Sequence, residues 1–410
     1  MYPPLLSARS FFRDPVGYAR ARRNDHGIVH LRAGPSRYAL IRAPDVIWRV
    51  LVAEAGSFRQ GKWKRRARRF LGETLNTLDG EEHRRRRAML DPSLDRRRIA
   101  AFGPAIVARA ERAHTQWEHG ERLCLRDELD PLVLTMAGDV LLATDLEPDS
   151  VELARALSAV MRGVPRLTPP ILGTRQARAL ARVDRAISVV LEKRRRSPGD
   201  RDDLVGSLTR SGLPEQTVRG ELIAFLLAAV DEPPSALEAA WYLLGRNPRA
   251  EECLHAELDG VLGDWAPTLE DEARLSYLNA VLRETLRLFP PARHIDRCPV
   301  DDVILGDVPV RAGTNMIVSP LVTHHEPDLY ESPSEFVPER WLQGADRERA
   351  RGAYLPFGAG AHACIGAPLA RTIMTLTLAS ISRRWRLRVD NDAPAPVPNA
   401  PRLLVTLEER

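Results

Sequence analysis

Residues 354–371 read YLPFGAGAHACIGAPLAR, and the reading of this stretch decides the rest of the chain. One cysteine, Cys364, sits in a run of glycine, alanine and a single histidine. Small residues let backbone approach a flat group closely, and glycine supplies the positive φ of a tight bulge. From Ile365 the pattern turns helical, with Pro368 acceptable in a first turn. Cys364 therefore stands just ahead of a helix N-terminus, where the helix dipole and open amide N–H groups favour a thiolate. A thiolate so held is a ligand of the kind haem iron takes, one that pushes electron density onto the metal. The competing reading is a buried structural cysteine beside a glycine turn.

Working outward, residues 275–291 (LSYLNAVLRETLRLFPP) place Leu275, Leu278, Leu282 and Leu286 on one stripe of an amphipathic helix. Glu284 and Arg287, three apart, are neighbours on it. Residues 336–341 (FVPERW) offer Arg340 as a third member, and a carboxylate between two guanidiniums can tie distant segments together. Residues 76–94 (NTLDGEEHRRRRAMLDPSL) put His83 and Arg87 four apart on one helix face, two donors for an anionic ligand. Residues 220–244 (GELIAFLLAAVDEPPSALEAAWYLL) form a long apolar helix with a defect: Ala228 and Ala229 precede Asp231 and Glu232, and Pro233 and Pro234 follow. Interior prolines remove backbone donors and cost ~3 kcal/mol or more. Something must compensate for them: a pre-kinked helix with a freed carbonyl or an ordered water is one way, and Ser235 supplies a nearby hydroxyl if the kink shifts the register. Stored strain of this kind often marks a functional site.

These stretches together resemble the cytochrome P450 family. Phe357, Gly360, Cys364 and Gly366 fall on its haem-binding signature F-x-x-G-x-x-x-C-x-G, with Gly358 and His362 matching common variants. Glu284 and Arg287 match its E-x-x-R motif, residues 336–341 its later F-x-P-x-R-[FW] motif, and His83 with Arg87 its H-x-x-x-R motif. The motifs occur in family order from residue 83 to 371, so the resemblance covers essentially the whole chain. It implies a mainly α (α+β) fold, a large helical region with a smaller β-rich one, as a single haem domain over residues 1–410. The cofactor implied is haem b (iron protoporphyrin IX), with Cys364 on iron. His83, Arg87, Arg297 and His362 are its expected propionate contacts, with Arg293 and His294 as alternatives near Arg297. Ala228, Ala229 and Ile295 are expected at the substrate pocket, and Glu284, Arg287 and Arg340 as a structural clamp. The long helix departs from the family pattern A-G-x-[DE]-T-[TS]. Asp231 matches the acid, but Ala229 replaces the glycine, Glu232 the threonine that supports proton delivery, and Pro233 the residue after it. Asp231 and Glu232 are the candidates for proton handling.

Elsewhere, residues 26–43 read as a β-hairpin, residues 43–55 as an amphipathic helix, and residues 127–144, 150–161 and 176–196 as helices around a loop at 162–170. Residues 303–308 and 314–318 and the chain from Trp385 on read as strands, the last around a proline-rich turn that is a candidate for touching substrate. The basic run at 61–69 (GKWKRRARR) is a solvated face, or else part of a substrate-access loop or docking surface.

The 410 residues are 44% apolar and 28% charged, a globular composition. No apolar run approaches the ~20 residues of a membrane span, and the N-terminus lacks a secretory pattern. A cytoplasmic protein without a membrane anchor is expected. Four cysteines without C-x-x-C spacing argue against a zinc site or a disulfide framework. The net charge is +5, and only three of the 60 basic residues are lysine. No DNA-binding motif accompanies that charge, so nucleic acid is not the expected partner. By resemblance the reaction is O2-dependent oxygen insertion into an apolar small molecule, such as a terpenoid or polyketide. NAD(P)H then acts indirectly, through a ferredoxin-type electron donor and its reductase, since no flavin or iron–sulfur domain is fused. Three alternatives stand beside it: a peroxide-driven peroxygenase, a haem-thiolate catalyst of ring closure, coupling or rearrangement, and a non-catalytic haem sensor or carrier.

Overall fold

A computed structural model of the chain describes residues 7–22, 26–33, 36–162, 174–196, 203–342, 349–396 and 402–410. The chain divides into two compact units. The first comprises Met1–Arg86, Ala292–Glu335 and Ala345–Cys364. Its frame is a five-stranded sheet. The hairpin Ile28–Ala33 and Ser36–Ile41 runs antiparallel, with Ile28 opposite Ile41. Ser36–Ile41 then pairs parallel with Asn315–Val318, which is followed by Ile295–Pro299 and the short edge strand Phe58–Gln60. Both faces are covered. Ile28, Ala39, Ile41, Ile47, Leu51 and Met316 pack on one side; Phe11, Tyr18, Leu31, Leu40 and Ile317 pack on the other. The strand Asn315–Val318 is buried throughout, as a central apolar run requires. Val303–Leu305 and Val308–Val310 make a separate hairpin.

Residues 43–55 are less regular than an amphipathic helix. They form a short α-helix, Pro44–Trp48, a π turn, Arg49–Ala53, and a 3₁₀ turn. The basic run is a helix, Lys62–Leu71. Its first free amides are capped from a distance: Lys62 N donates to Asn315 Oδ1 at 2.7 Å and Trp63 N to Asp296 Oδ2 at 3.0 Å.

The second unit comprises Arg87–Pro291, Phe336–Gly344 and Ile365–Arg410. It is mainly helical and is built around Glu215–Arg246, which packs against Leu125–Ala137. Ala367–Arg384 lies in the same core, where Trp241 Nε1 donates to Ser382 Oγ at 3.2 Å. Three strands, Arg122–Cys124, Leu404–Glu409 and Trp385–Val389, form its sheet. The helix Ser276–Leu288 has Leu275 at its N-cap and so lacks a local capping side chain. Glu257 supplies the cap, accepting from Tyr277 N at 2.7 Å and Leu278 N at 2.9 Å. Helices Ser150–Arg162 and Thr174–Arg196 lie close to their expected places, while nearly all of the loop expected at 162–170 falls outside the described residues. The expected proline-rich turn falls partly outside them too. Among the described residues no helix is long and apolar enough to cross a membrane.

Candidate functional site

In the first unit the Cys364 loop is fixed by its own backbone. Gly358 N donates to the Leu355 carbonyl at 3.1 Å, Ala363 N to the Gly360 carbonyl at 3.0 Å, and Cys364 N to the Phe357 carbonyl at 2.8 Å. The last bond brings the two motif positions Phe357 and Cys364 together. Gly358 and Gly360 sit at φ of +71° and +70°. At Gly360 a Cβ would stand 2.1 Å from the Leu51 carbonyl oxygen, so glycine is required on two counts. A Cβ on Gly358 would lie 3.7 Å from Ile295 Cδ1, which places Ile295 beside this loop. The Cys364 residue is exposed, which removes the reading of a buried structural cysteine. The chain turns helical at Ala367, with Gly366 as the N-cap.

Around this loop the unit gathers cationic and imidazole donors. The His83 and His362 rings lie 3.8 Å apart between centroids. Gln60 links two of the expected contacts: its Oε1 accepts from Arg297 Nη1 at 3.1 Å, and its Nε2 lies 3.0 Å from His362 Nδ1. With the amide oxygen engaged by Arg297, the amide NH₂ donates to Nδ1, so a neutral His362 carries its proton on Nε2. The Gln60 backbone N–H meanwhile donates to both Asp79 carboxylate oxygens, at 2.9 and 3.0 Å. Burial pushes the Asp79 carboxyl up, partly offset by that bond and by Arg297. Burial lowers the Arg297 guanidinium, against the opposing charges of Asp296 and Asp79. Arg297 Nη1 hydrogen-bonds neutral acceptors, Gln60 and the Asp296 carbonyl. A buried cation held this way, beside two imidazoles and an exposed thiol, is a donor set suited to a flat, dianionic iron cofactor. Haem fits these residues.

The helix Gly80–Leu90 carries both His83 and Arg87. His83 is buried, whereas Arg87 Nε donates to Asp91 Oδ1 at 3.0 Å.

In the second unit Glu284 is the hub of a buried cluster. Its Oε1 accepts from Arg287 Nη2 at 2.8 Å, Arg340 Nε at 3.0 Å and Val337 N at 3.1 Å. Its Oε2 accepts from Arg287 Nε and Trp341 Nε1, both at 2.8 Å. Burial pushes the carboxyl up, but the hydrogen bonds and charge of Arg287, with Arg340 and Val337, outweigh it and hold Glu284 below the usual range. Trp341, the last residue of the 336–341 motif, joins this cluster through its ring N–H, a bond to Glu284 that the motif itself does not specify.

The long helix corrects the sequence reading. Glu215–Arg246 is helical throughout, so Pro233 and Pro234 do not open it. Ser235 does not supply a hydroxyl to an opened face either: its Oγ donates to the Asp231 carbonyl at 2.6 Å and accepts from Arg126 Nη1 at 2.6 Å. Along a helix that is otherwise largely buried, Ala224, Ala228 and Glu232 keep solvent access at four-residue spacing, with Phe225 and Ala229 beside them. Glu232 belongs to that accessible stripe. Asp231, three residues from Ala228 and seven from Ala224, is half-buried on the same face, and it is near enough to Asp130 to raise the Asp130 carboxyl further beyond what burial does.

A family model described as cytochrome P450 matches residues 16–410. A cyclooctat-9-en-7-ol 5-monooxygenase of Streptomyces melanosporofaciens is 35% identical over 404 residues, covering 94% of this chain and 88% of that protein. A cyclooctatin synthase of the same organism is 35% identical over 383 residues, covering 88% and 83%. A pentalenene oxygenase of Streptomyces avermitilis is 27% identical over 407 residues, covering 95% and 91%.

Proposed function

The chain belongs to the cytochrome P450 family of haem-dependent oxidoreductases, and from that premise we propose that it is a monooxygenase in which Glu232 delivers the protons that O2 activation consumes. Haem b, when bound, supplies reductive O2 activation and transfer of one oxygen atom. The chain's own residues do the rest. We assign Cys364 as the iron ligand, with an electron-donating thiolate favoured by the helix that starts at Ala367. Arg297, His83 and His362 hold the carboxylates of the cofactor, Gln60 orients His362, and Arg87 assists from the Gly80–Leu90 helix. Glu284, Arg287 and Arg340 lock the backbone of residues 337–341 rather than touch the reaction. One haem domain over the whole chain completes this reading.

The observation that carries the role of Glu232 is its place on the stripe with Ala224 and Ala228. A side chain there can face a reacting centre, and Glu232 stands where the family pattern has its threonine, whereas the charge of Asp231 also acts on Asp130. A carboxyl that holds its proton donates as a general acid without the intermediary water that a threonine positions. The small, apolar stripe fits a hydrocarbon-rich substrate, and the relatives' names (cyclooctat-9-en-7-ol, pentalenene) support a terpenoid of a secondary pathway. Electrons come from NAD(P)H through a ferredoxin-type donor and its reductase.

The test is Glu232→Gln, with product and hydrogen peroxide measured per NADH consumed and again with peroxide as sole oxidant. The variant is expected to divert electrons into peroxide while keeping peroxide-driven product formation. Unchanged coupling across pH removes Glu232 from the role. A wild-type protein that works only with added peroxide is a peroxygenase.

A further inference from the structure

We infer that Arg126 takes over from a backbone donor that the double proline removes, and that it is a positioning residue for Glu232. In an unbroken helix the N–H of residue 234 would donate to the Val230 carbonyl; Pro234 has none. Arg126 Nη2 reaches that same carbonyl at 3.4 Å from the neighbouring helix Leu125–Ala137. The other arm of the guanidinium, Nη1, donates to Ser235 Oγ, which in turn donates to the Asp231 carbonyl. One planar fork thus engages the helix on both sides of the proline pair.

The guanidinium is itself held in place. Its Nε donates to Asp130 Oδ1 at 2.6 Å, one helical turn along, and Glu238 Oε2 stands 3.9 Å from Nη1. Asp130 is steadied by Ser158 at 3.4 Å and Glu238 by the Leu403 backbone N–H at 3.3 Å. The arginine side chain is 14% exposed, so its bonds compete little with water. Lysine could not do this, because a single ammonium lacks the rigid fork that meets Asp130, Ser235 and Val230 together. The helix stays closed through two prolines, and the azimuth of the Ala224–Ala228–Glu232 stripe follows from that closure.

This consequence for Glu232 rests on the reading above; the helix-closing role does not, and the experiment reads the latter alone. Backbone hydrogen exchange of the haem-loaded protein is followed across residues 226–240 in Arg126→Met, Pro234→Ala and the double variant. Loss of one charge-assisted bond predicts about tenfold faster exchange in this segment for Arg126→Met, with the N-terminal turns of the same helix unchanged. Pro234→Ala restores an N–H facing the Val230 carbonyl, so the double variant should return to within about threefold of Pro234→Ala alone. If Arg126→Met does not take up haem, Arg126→Lys, which keeps the charge beside Asp130, should show a smaller acceleration that Pro234→Ala again suppresses. Exchange unaltered by the arginine substitution, or accelerated equally with and without Pro234, overturns the inference.

Discussion

Replacing Glu284 by alanine tests the clamp at its centre. The Glu284 and Arg287 side chains have no exposed surface, and that of Arg340 is 11% exposed. The carboxylate accepts five hydrogen bonds, from Arg287 twice, Arg340, Val337 and Trp341. Summing five charge-assisted bonds would overcount, because they share one acceptor group and the desolvation of the ions opposes them. The measured consequence of breaking a buried pair, ~3–5 kcal/mol, is the better guide, since alanine takes the counter-charge from two buried guanidiniums. Glu284→Gln keeps the shape and one acceptor oxygen but turns an NH₂ toward existing donors, and should cost less, ~1–3 kcal/mol. The assay is urea unfolding of the haem-loaded protein followed by tryptophan fluorescence, with haem content per chain measured alongside. Glu81→Ala, at an exposed pair with Arg84, serves as the control and should leave the midpoint where it is. The acid limb is a second reading of the same site. The Glu284 carboxyl is held below its ordinary value, so its contribution is complete above the unfolded value of ~4.3 and is lost only as pH falls through the lower folded one. A Glu284→Ala protein with wild-type haem content and an unshifted midpoint would refute the clamp.

Cys364→Ser substitutes a protonated, poorer donor, so the reduced carbon-monoxide difference spectrum should lose its thiolate band; a retained band would mean that another residue ligates iron. Gly360→Ala must place a methyl group 2.1 Å from the Leu51 carbonyl at a φ of +70°, and is expected to lower both haem retention and melting temperature, whereas an unaffected variant would show the loop to be adaptable. His255 is buried, and burial together with the Arg410, Arg386 and Arg388 charges lowers it to about 3. Below its ordinary value of ~6.5 the unfolded chain takes up a proton that the folded one refuses, so stability should fall by up to about 1.4 kcal/mol per pH unit on acidification. His255→Leu should flatten that slope in unfolding titrations between pH 6.5 and 5; an equal slope in both proteins would assign the acid sensitivity elsewhere.

The parts of the site that were legible in the sequence are those with short, fixed spacing. Cys364 with Phe357 and Gly360, and Glu284 with Arg287, are set by local geometry, so their residue types and intervals survive in the linear text. Gln60 was not legible. It connects Arg297 and His362, 237 and 302 positions away along the chain, through an edge strand of three residues, and a lone glutamine carries no pattern. The caps on Lys62–Leu71 and Ser276–Leu288 were hidden for the same reason. Propensity rules look for a serine or aspartate at the N-cap, and here Asn315, Asp296 and Glu257 reach in from other elements.

The long helix shows how a correct local rule gives the wrong local structure. Two interior prolines do remove two donors, those that would meet the Ala229 and Val230 carbonyls. For the Val230 carbonyl the replacement stands about a hundred residues earlier, in Arg126, within a stretch whose charges look like an ordinary solvated helix start. Its partners then sort the two candidate acids. Asp130 and Glu238 are both pushed up by burial, each with Arg126 as the main opposing influence, so that side of the helix already holds its full complement of charge. A further anion there is unfavourable, and Asp231 is near enough to push the Asp130 carboxyl higher still; under the proposed function that separates it from Glu232, whose substitution is the one that tests proton delivery.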